Sequence, residues 1–377
     1  MSLRALVILL LCVPPLSTYA AEPPALAPSL LLQASGRAVV DDVLQDEGFF
    51  LRRVRPRLRT QVAPRLKTDL HLDLAGDKVT LLDAWAEVAL GAGLSLRVGK
   101  QKLPFGLERL QAPGHTLFVE RALPSEVAPN RDAGLQLLGT FLQDRLTFQL
   151  GAFNGIGDGG SAETNPDGRL DGFLRVFGRP LVTEAGELGI GAAGAYGKRA
   201  DDPATGRFRT PTGRKLFGFR GGDAPVVADG GLLRWTGSLY GRVGSVGLLA
   251  EYVEAHTELR AGSEQATVTT RAWQAALAFV VGGRPSFQAV KVDEGARFGA
   301  FELKARVHGF QVDEEAFPTF AEPTDQAQAA VAVGAGLNWY PLAEVRVLLV
   351  VEHVAPEARA GQVEDETSVT TTFQYLF

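Results

Sequence analysis

Four arginines alternate with uncharged residues in one short stretch, FFLRRVRPRLRTQVA, at residues 49–63. They are Arg53, Arg55, Arg57 and Arg59. Successive side chains of a β-strand point to opposite faces, and same-face residues lie about 6.7 Å apart, so a strand here would carry a guanidinium row about 20 Å long. A guanidinium donates a planar fork that suits phosphate or carboxylate oxygens. Because moderate sites in series let an anion bind and still leave, the row predicts a path for anions.

The same alternation runs through almost the whole chain, as in PRLKTDLHLDLAG (64–76), DRLTFQLGAF (144–153) and GAFELKARVHG (299–309). Each predicts a strand with one apolar and one polar face. The strands are long enough to cross a bilayer when tilted. Short turns alternate with long loops between them, as in bacterial outer-membrane barrels. We therefore predict an all-β fold, a 16-stranded antiparallel transmembrane β-barrel. The predicted strands are 29–40, 49–62, 64–75, 78–90, 93–102, 131–142, 144–153, 170–180, 187–197, 232–243, 246–257, 267–281, 297–311, 327–340, 344–356 and 366–377.

Three local features fit this pattern poorly. The segment RKLFGFR (214–220) could be a further strand, but an odd strand count would place the C-terminus on the wrong side, so we assign it to a loop. The connection 282–296 is long where a short periplasmic turn is expected. Pro56 cannot donate a ladder hydrogen bond, so a bulge or strand end near it would change which arginines point inward.

The termini predict export. Residues 1–20 contain a basic residue, an apolar stretch and a small-residue site, which predicts a signal peptide cleaved after Ala20. Residues 21–28 form a Pro/Ala-rich leader, and residues 29–377 form the barrel. The only cysteine, Cys12, lies in the signal peptide, so we expect no disulfide, cysteine-ligated metal or cofactor. The last strand has alternating aromatic residues and ends on Phe377, which resembles the signal read by the barrel-assembly machinery.

Charge is distributed unevenly along the chain. The formal net charge of −5 argues against nucleic acid as a partner, whereas residues 49–131 hold 14 Lys/Arg against 8 Asp/Glu. Sixteen strands leave room for an aqueous channel, whose wall is the polar face of each strand. The basic candidates for this wall, besides the alternating arginines, are Arg65, Lys67, Arg97, Arg109, Arg121 and Arg131. In the alternative interpretation, the arginines pair with Asp69, Asp73, Asp83 and Glu87 on neighbouring strands.

One block carries a family resemblance, LRVGKQKLPFGLERLQAPGHTLFVERALPSEVAPNRDAGLQLLG at residues 96–139. The pattern of a strand end "vGqfKpPFGlE", then "f.ERslp", then "pgRd.Gv" resembles the phosphate-selective porin O/P family of Gram-negative outer membranes. Further blocks are FFLRRVRPRL (49–58), GAFNG (151–155) and GLNWYPL (336–342). The matching residues of the main block are Gly99, Lys102, Pro104, Phe105, Gly106, Glu108, Glu120, Arg121, Arg131, Asp132 and Gly134.

The resemblance implies a trimeric sixteen-stranded channel with inward-folded loops at 103–130 and 198–231 and an inward-folded turn at 282–296. It also implies an arginine ladder and a lysine cluster along the path. By position, Arg52 and Arg53 correspond to ladder arginines and Lys102 to a constriction lysine, with Lys67, Lys304 and Arg306 as further candidates. Strict alternation from Arg53 would point Arg52 outward.

These observations predict a homotrimeric channel in outer-membrane lipid for passive uptake of small anions, with phosphate or polyphosphate as the first candidate solute. The alternative is a porin of other or broad solute specificity, such as carboxylates. A barrel enzyme is a remote alternative, because none of the five histidines has a serine or aspartate at a suggestive spacing. A soluble β-sandwich would share the alternation but not the strand lengths and connections.

Overall fold

The computed structural model describes residues 25–40, 48–161, 164–165, 167–204, 206–222, 225–286, 290–324 and 326–377. The predicted signal peptide, residues 1–20, and the start of the predicted leader lie outside the described residues.

Sixteen antiparallel strands close into one barrel, with β1 paired to β20 from Leu31↔Leu376 to Val39↔Ser368. The barrel strands are β1 (Ala25–Val39), β2 (Gly48–Ala63), β3 (Leu66–Asp73), β4 (Thr80–Gly91), β5 (Leu94–Lys102), β6 (Arg131–Phe141), β7 (Leu146–Phe153), β8 (Asp171–Val182), β9 (Gly186–Pro203), β12 (Val227–Val243), β13 (Val246–Ala261), β14 (Glu264–Val281), β17 (Ala300–Val312), β18 (Ala327–Leu342), β19 (Val345–Ala358) and β20 (Glu366–Leu376).

Smaller elements lie in the connections. Strands β10 (Arg207–Arg209) and β11 (Lys215–Gly218) form one hairpin, and β15 (Gly283–Arg284) and β16 (Lys291–Val292) form another. Two one-turn helices, α1 (Leu107–Leu110) and α2 (Pro124–Val127), and a 3₁₀ turn (Glu314–Ala316) complete the described elements.

Each predicted strand corresponds to one barrel strand, so the predicted fold class and strand count are confirmed. The segment 214–220 contains β11, which pairs with β10 and not with a barrel strand. This agrees with its predicted assignment to a loop. Strand β1 begins at Ala25 and so includes residues 25–28, which the sequence assigned to the leader. Those residues pair with β2 from Ala25↔Gln61 onward, a contact that sequence pattern cannot reveal.

The alternation of side chains defines the two faces of the barrel wall. On β14, Leu277, Phe279 and Val281 point outward and are 54%, 47% and 55% exposed. Gln274 and Ala276 lie on the opposite, lumen-facing side of the strand and are buried. An outward apolar band of this kind is the surface that a membrane barrel presents to lipid.

Among the residues that the structure describes, no helix is long and apolar enough to cross a membrane.

The lumen is partly filled by an apolar cluster near the end of the barrel from which the longer connections emerge, here called the loop end. Strand residues Phe153, Phe173 and Phe310 point inward there and are buried. The loop residue Phe208 stacks on Phe310 with ring centroids 3.9 Å apart, and Phe217 packs in the same cluster. The expectation of a polar lumen therefore holds only for part of the wall, because inward loops bring their own apolar side chains to cover these rings.

Two further segments enter the lumen. Loop 103–130, between β5 and β6, is almost entirely buried, with Leu103 and Phe105 at 0% exposure. At the opposite end, here called the turn end, the long connection 282–296 forms the β15–β16 hairpin. Val290 and Val292 pack there against the inward-facing Tyr340. The long turn is thus a folded element inside the barrel mouth rather than a break in the strand pattern.

Candidate functional site

Loop 103–130 lies against one side of the barrel wall and is held there through its backbone carbonyls. The wall side chains donate to five carbonyl oxygens between residues 114 and 120. Gln374 Nε2 donates to Gly114 O (3.0 Å), and Arg346 Nη1 donates to Thr116 O (2.8 Å). The Leu117 carbonyl accepts three bonds, from Arg346 Nη2 (2.8 Å), Lys304 Nζ (3.0 Å) and Asn338 Nδ2 (3.1 Å). Arg53 Nη1 donates to Val119 O (3.1 Å), and Arg306 Nη1 donates to Glu120 O (2.8 Å). An irregular segment cannot satisfy its own carbonyls, so the wall satisfies them instead.

Two predicted pathway residues, Lys304 and Arg306, belong to this attachment. Each is 4% exposed. Besides its bond to the loop, Lys304 Nζ donates to Asn338 Oδ1 (2.6 Å), and Arg306 Nη2 lies 2.5 Å from Glu352 Oε2. Both cations also sit over the Phe118 ring, at 4.6 and 4.2 Å from its centroid. The structure thus places them between the loop and the wall, where they position the loop.

Lys102 has a similar role at the start of the loop. Its Nζ donates to the carbonyls of Arg109 (2.8 Å), Leu110 (3.2 Å) and Gln111 (2.8 Å), at the C-terminal end of α1. Carbonyls at a helix end have no partner within the helix, and a cation there satisfies them. Lys102 therefore folds the loop back onto β5.

A β-bulge brings Arg52 and Arg53 to the same side of β2. The pairing of β1 with β2 shifts between Gln33↔Arg53 and Ala34↔Leu51, so Arg52 is the extra residue. Leu51 is then 55% exposed on the outside, while Arg53 is 3% exposed on the inside. Strict alternation pointed Arg52 outward and the family resemblance pointed it inward. The bulge places it inside the barrel.

Both arginines converge on Glu120 of the loop. Arg52 binds it through two bonds, Nε to Oε1 (2.5 Å) and Nη2 to Oε2 (2.7 Å). Arg37 Nη2 lies 3.3 Å from Oε1, and Arg53 Nη2 lies 3.8 Å from Oε2. Burial raises the pKa of Glu120, but the facing arginines outweigh it and lower this pKa to about 2. Glu120 is therefore a carboxylate surrounded by three guanidinium groups.

The remaining ladder arginines are also ion-paired. Arg55 Nε lies 2.7 Å from Asp73, and Asp69 accepts from both Arg57 (2.6 Å) and Arg59 (3.0 Å). The exposure of the arginine side chain rises along the row, from 12% at Arg55 to 59% at Arg59. Each of these three arginines thus lies against a carboxylate, which partly neutralises its charge.

Pro56 fits because the β2–β3 pairing ends beside it. That pairing runs from Arg57↔His71 to Ala63↔Leu66. Val54, two residues before the proline, faces β3, since its carbonyl accepts from Leu74 N (2.8 Å). Pro56 has the same orientation, so its missing N–H falls in the gap between that bond and the pairing that begins at Arg57.

The other predicted basic residues divide between ion pairs and the turn end. Arg97 binds Glu87 (2.6 Å) and stacks 4.0 Å from the Trp85 ring centroid. Arg131 binds Asp83 (2.9 Å). Arg65 and Lys67 are exposed at the turn end. Four strand acids bind arginines of the β2–β6 wall, and they are those of the alternative interpretation, Asp69, Asp73, Asp83 and Glu87.

A cavity of about 450 Å³ lies at the loop end, between β1, β2, loop 103–130 and residues 209–213. Arginines outnumber acids in its lining. The charged residues are Arg37, Arg52, Arg53, Arg109, Arg121, Arg209, Glu120 and Glu126. Arg121 donates to two backbone carbonyls, Glu108 O (3.2 Å) and Gln111 O (3.0 Å). Four of the predicted pathway residues, Arg52, Arg53, Arg109 and Arg121, therefore line one cavity with an excess of positive charge.

Sequence reasoning missed two of the cavity arginines. Arg37 continues the inward series Gln33 and Ser35 of β1, so alternation could have identified it. Arg209 lies in the β10–β11 hairpin, whose position inside the lumen has no periodic signal.

The depressed pKa of Glu120 predicts that its pairing with the three arginines persists in mild acid. Because the pKa lies below the ordinary glutamate value of about 4.3, the attraction is present above that pH and lost as pH falls through about 2. The groups that face the carboxylate are the guanidinium groups of Arg37, Arg52 and Arg53. Single-channel conductance should thus be constant from neutral pH to about pH 4, measured at fixed salt. A steep rise in conductance between those values would contradict the pairing of an ionised Glu120 with the three arginines.

A closed sixteen-stranded barrel with an outward apolar band and an inward loop across its lumen is an outer-membrane porin. The chain belongs to the family described as phosphate-selective porin O and P, which matches residues 34–377. The family and the fold define a channel and not an enzyme, and they place the protein in the outer membrane.

Solved outer-membrane proteins share the fold at low identity. OmpT of Vibrio cholerae in its trimer form is 11% identical, with a TM-score of 0.59 over 94% of this chain and 100% of that chain. The outer membrane channel DcaP of Acinetobacter baumannii is 8% identical, with a TM-score of 0.62 over 94% and 97%. An anion-selective porin from Comamonas acidovorans is 10% identical, with a TM-score of 0.59 over 94% and 100%. Comparison with curated protein sequences gives no significant match.

Proposed function

We propose that this porin conducts small anions passively, with phosphate or polyphosphate as its solute. The observation that carries the proposal is the loop-end cavity, in which six arginines face two glutamates. Such an excess of cations raises the local concentration of anions. From this cavity, Arg55, Arg57 and Arg59 continue along β2 toward the turn end, each shared with a carboxylate. Because a carboxylate partly neutralises each arginine, each site binds an anion weakly enough for the anion to leave.

The family and one neighbour support the proposal. The family description names phosphate selectivity, and the Comamonas acidovorans protein of the same fold is described as anion-selective.

A channel for small organic carboxylates is the second candidate. The cavity volume of about 450 Å³ falls in the range of organic-ligand sites, about 300–1,000 Å³, and Phe50 and Leu123 contribute an apolar lining. Carboxylates would use the same guanidinium forks as phosphate.

The assembly and export of the chain are further parts of the proposal. We propose a homotrimer in outer-membrane lipid, consistent with the trimer form of the Vibrio cholerae neighbour. Cleavage after Ala20 and recognition of Phe377 by the barrel-assembly machinery are proposed from the sequence. Deleting Phe377 should slow insertion into membranes without changing the conductance of the channels that form, as planar-bilayer recording would show.

The wild-type channel should be anion selective. In a planar bilayer with a potassium chloride gradient, the reversal potential should have the sign of chloride permeation. Added phosphate should reduce the chloride current at low ionic strength, where charges are least screened. Carboxylates that reduce the current at lower concentration than phosphate would favour the second candidate. Cation selectivity would overturn the proposed function.

A further inference from the structure

A carboxylate of the protein itself lies among the arginines of the loop-end cavity. Arg37, Arg52 and Arg53 come from two adjacent barrel strands, and their guanidinium groups converge on the carboxylate of Glu120. Two of the contacts form a bidentate fork from Arg52, the geometry by which a guanidinium binds a carboxylate or phosphate. A dissolved oxyanion with two available oxygens would use the same atoms.

We propose that Glu120 is an internal counter-anion, which a passing carboxylate or phosphate must displace from Arg52, and which thereby sets the affinity of the channel for its solute. The inference rests on the proposed function, since it concerns the affinity of the same anion path.

The position of Glu120 allows such competition. The Arg52 side chain is 33% exposed and the Glu120 side chain 16% exposed, so an anion in the cavity can reach both. Arg53 is 3% exposed and also donates to Gln33 Oε1 (2.6 Å) and Val119 O, so it stays in place when the carboxylate moves. Arg52 is therefore the guanidinium at which the exchange takes place.

The loop does not depend on the Glu120 carboxylate for its attachment. The Glu120 carbonyl accepts from Arg306 (2.8 Å), and the Val119 carbonyl accepts from Arg53 (3.1 Å). Removing the carboxylate charge thus changes the occupant of the anion position while the backbone remains docked.

A tethered competitor acts at a high effective concentration, in the millimolar range for flexible tethers. A solute anion binds Arg52 only when it competes successfully with this local concentration of carboxylate. The bound solute leaves easily because the Glu120 carboxylate takes its place. Without this carboxylate, the three guanidinium groups would hold a solute anion more tightly. Affinity and release are balanced in this way by one side chain.

The test compares Glu120→Gln with Glu126→Gln in the full-length channel. Both substitutions remove one negative charge from a glutamate of the same cavity, and only Glu120 is held by the three arginines. Inorganic phosphate is titrated against chloride current in planar bilayers. Glu120→Gln should lower the half-blocking phosphate concentration by about tenfold, which is 1.4 kcal/mol, and Glu126→Gln by less than about twofold.

Conductance at high salt, where charge effects are screened, serves as the check on loop position and should equal the wild-type value. Equal shifts in the two variants, or no shift in Glu120→Gln, would overturn the role of Glu120 while leaving an anion channel. A wild-type channel without anion selectivity would overturn the proposed function instead.

Discussion

The double variant Arg52→Gln/Arg53→Gln should lose its preference for chloride and favour potassium. The substitutions remove two of the three guanidinium groups around Glu120 and leave its carboxylate with Arg37 alone. Two unit charges 4 Å apart interact by about 1 kcal/mol even in bulk water, and by more in a narrow lumen. Since about 1.4 kcal/mol is tenfold, the chloride-to-potassium permeability ratio should fall by about tenfold or more. Reversal potentials in a potassium chloride gradient measure this ratio.

The matched control is Arg65→Gln/Lys67→Gln, which removes the same charge at the exposed turn end. It should change the ratio by less than about twofold, because exposed charges are screened by salt. If both variants changed the ratio equally, selectivity would reside in the overall charge and not in the loop-end cavity.

The second large effect concerns the size of the opening. In Lys304→Met/Arg346→Met, the carbonyls of Thr116 and Leu117 lose three of their four described donors, and only Asn338 remains. A buried carbonyl without a partner costs about 1–3 kcal/mol, so the docked position of the loop becomes unfavourable. The stretch around residues 116–117 should move away from the wall, while the bonds to Gly114, Val119 and Glu120 remain. Single-channel conductance should rise severalfold, and liposome swelling should show passage of larger sugars.

Lys67→Met/Arg65→Met replaces the same two residue types at the turn end and controls for lost lumenal charge. Its conductance should remain within about twofold of wild type, since its charges are exposed and screened. A Lys304/Arg346 variant with unchanged conductance and altered selectivity would mean that these cations act on solute directly. The heat-resistant mobility of each folded barrel in gels would show that the variants fold.

The two ends of the arginine row differ in how far the sequence could predict them. At Arg55, Arg57 and Arg59, period-two alternation alone indicates inward side chains, since nothing interrupts the strand there. At Arg52, alternation fails, because the bulge depends on how β2 pairs with β1. The partner acids were foreseen only as an alternative, since Asp69 and Asp73 reach the arginines through strand register.

Basic residues far apart in sequence were harder to interpret. Lys102, Lys304 and Arg306 look like pathway residues when only their charge and family position are known. In the structure their donors satisfy backbone carbonyls of loop 103–130. An inward irregular loop needs donors from outside itself, and the same cations that could attract a solute supply them.

The sequence by itself determined the barrel, its sixteen strands, the inward face of strand segments without a bulge and the concentration of positive charge near β2. Those properties follow from local periodicity, strand length and turn spacing, which each segment carries without reference to the others. Only the tertiary structure decided which cations face solute, which hold the loop, and that Glu120 stands among three arginines. These outcomes depend on contacts between residues as distant as Arg37 and Glu120, where register, a bulge and the path of one loop set the geometry.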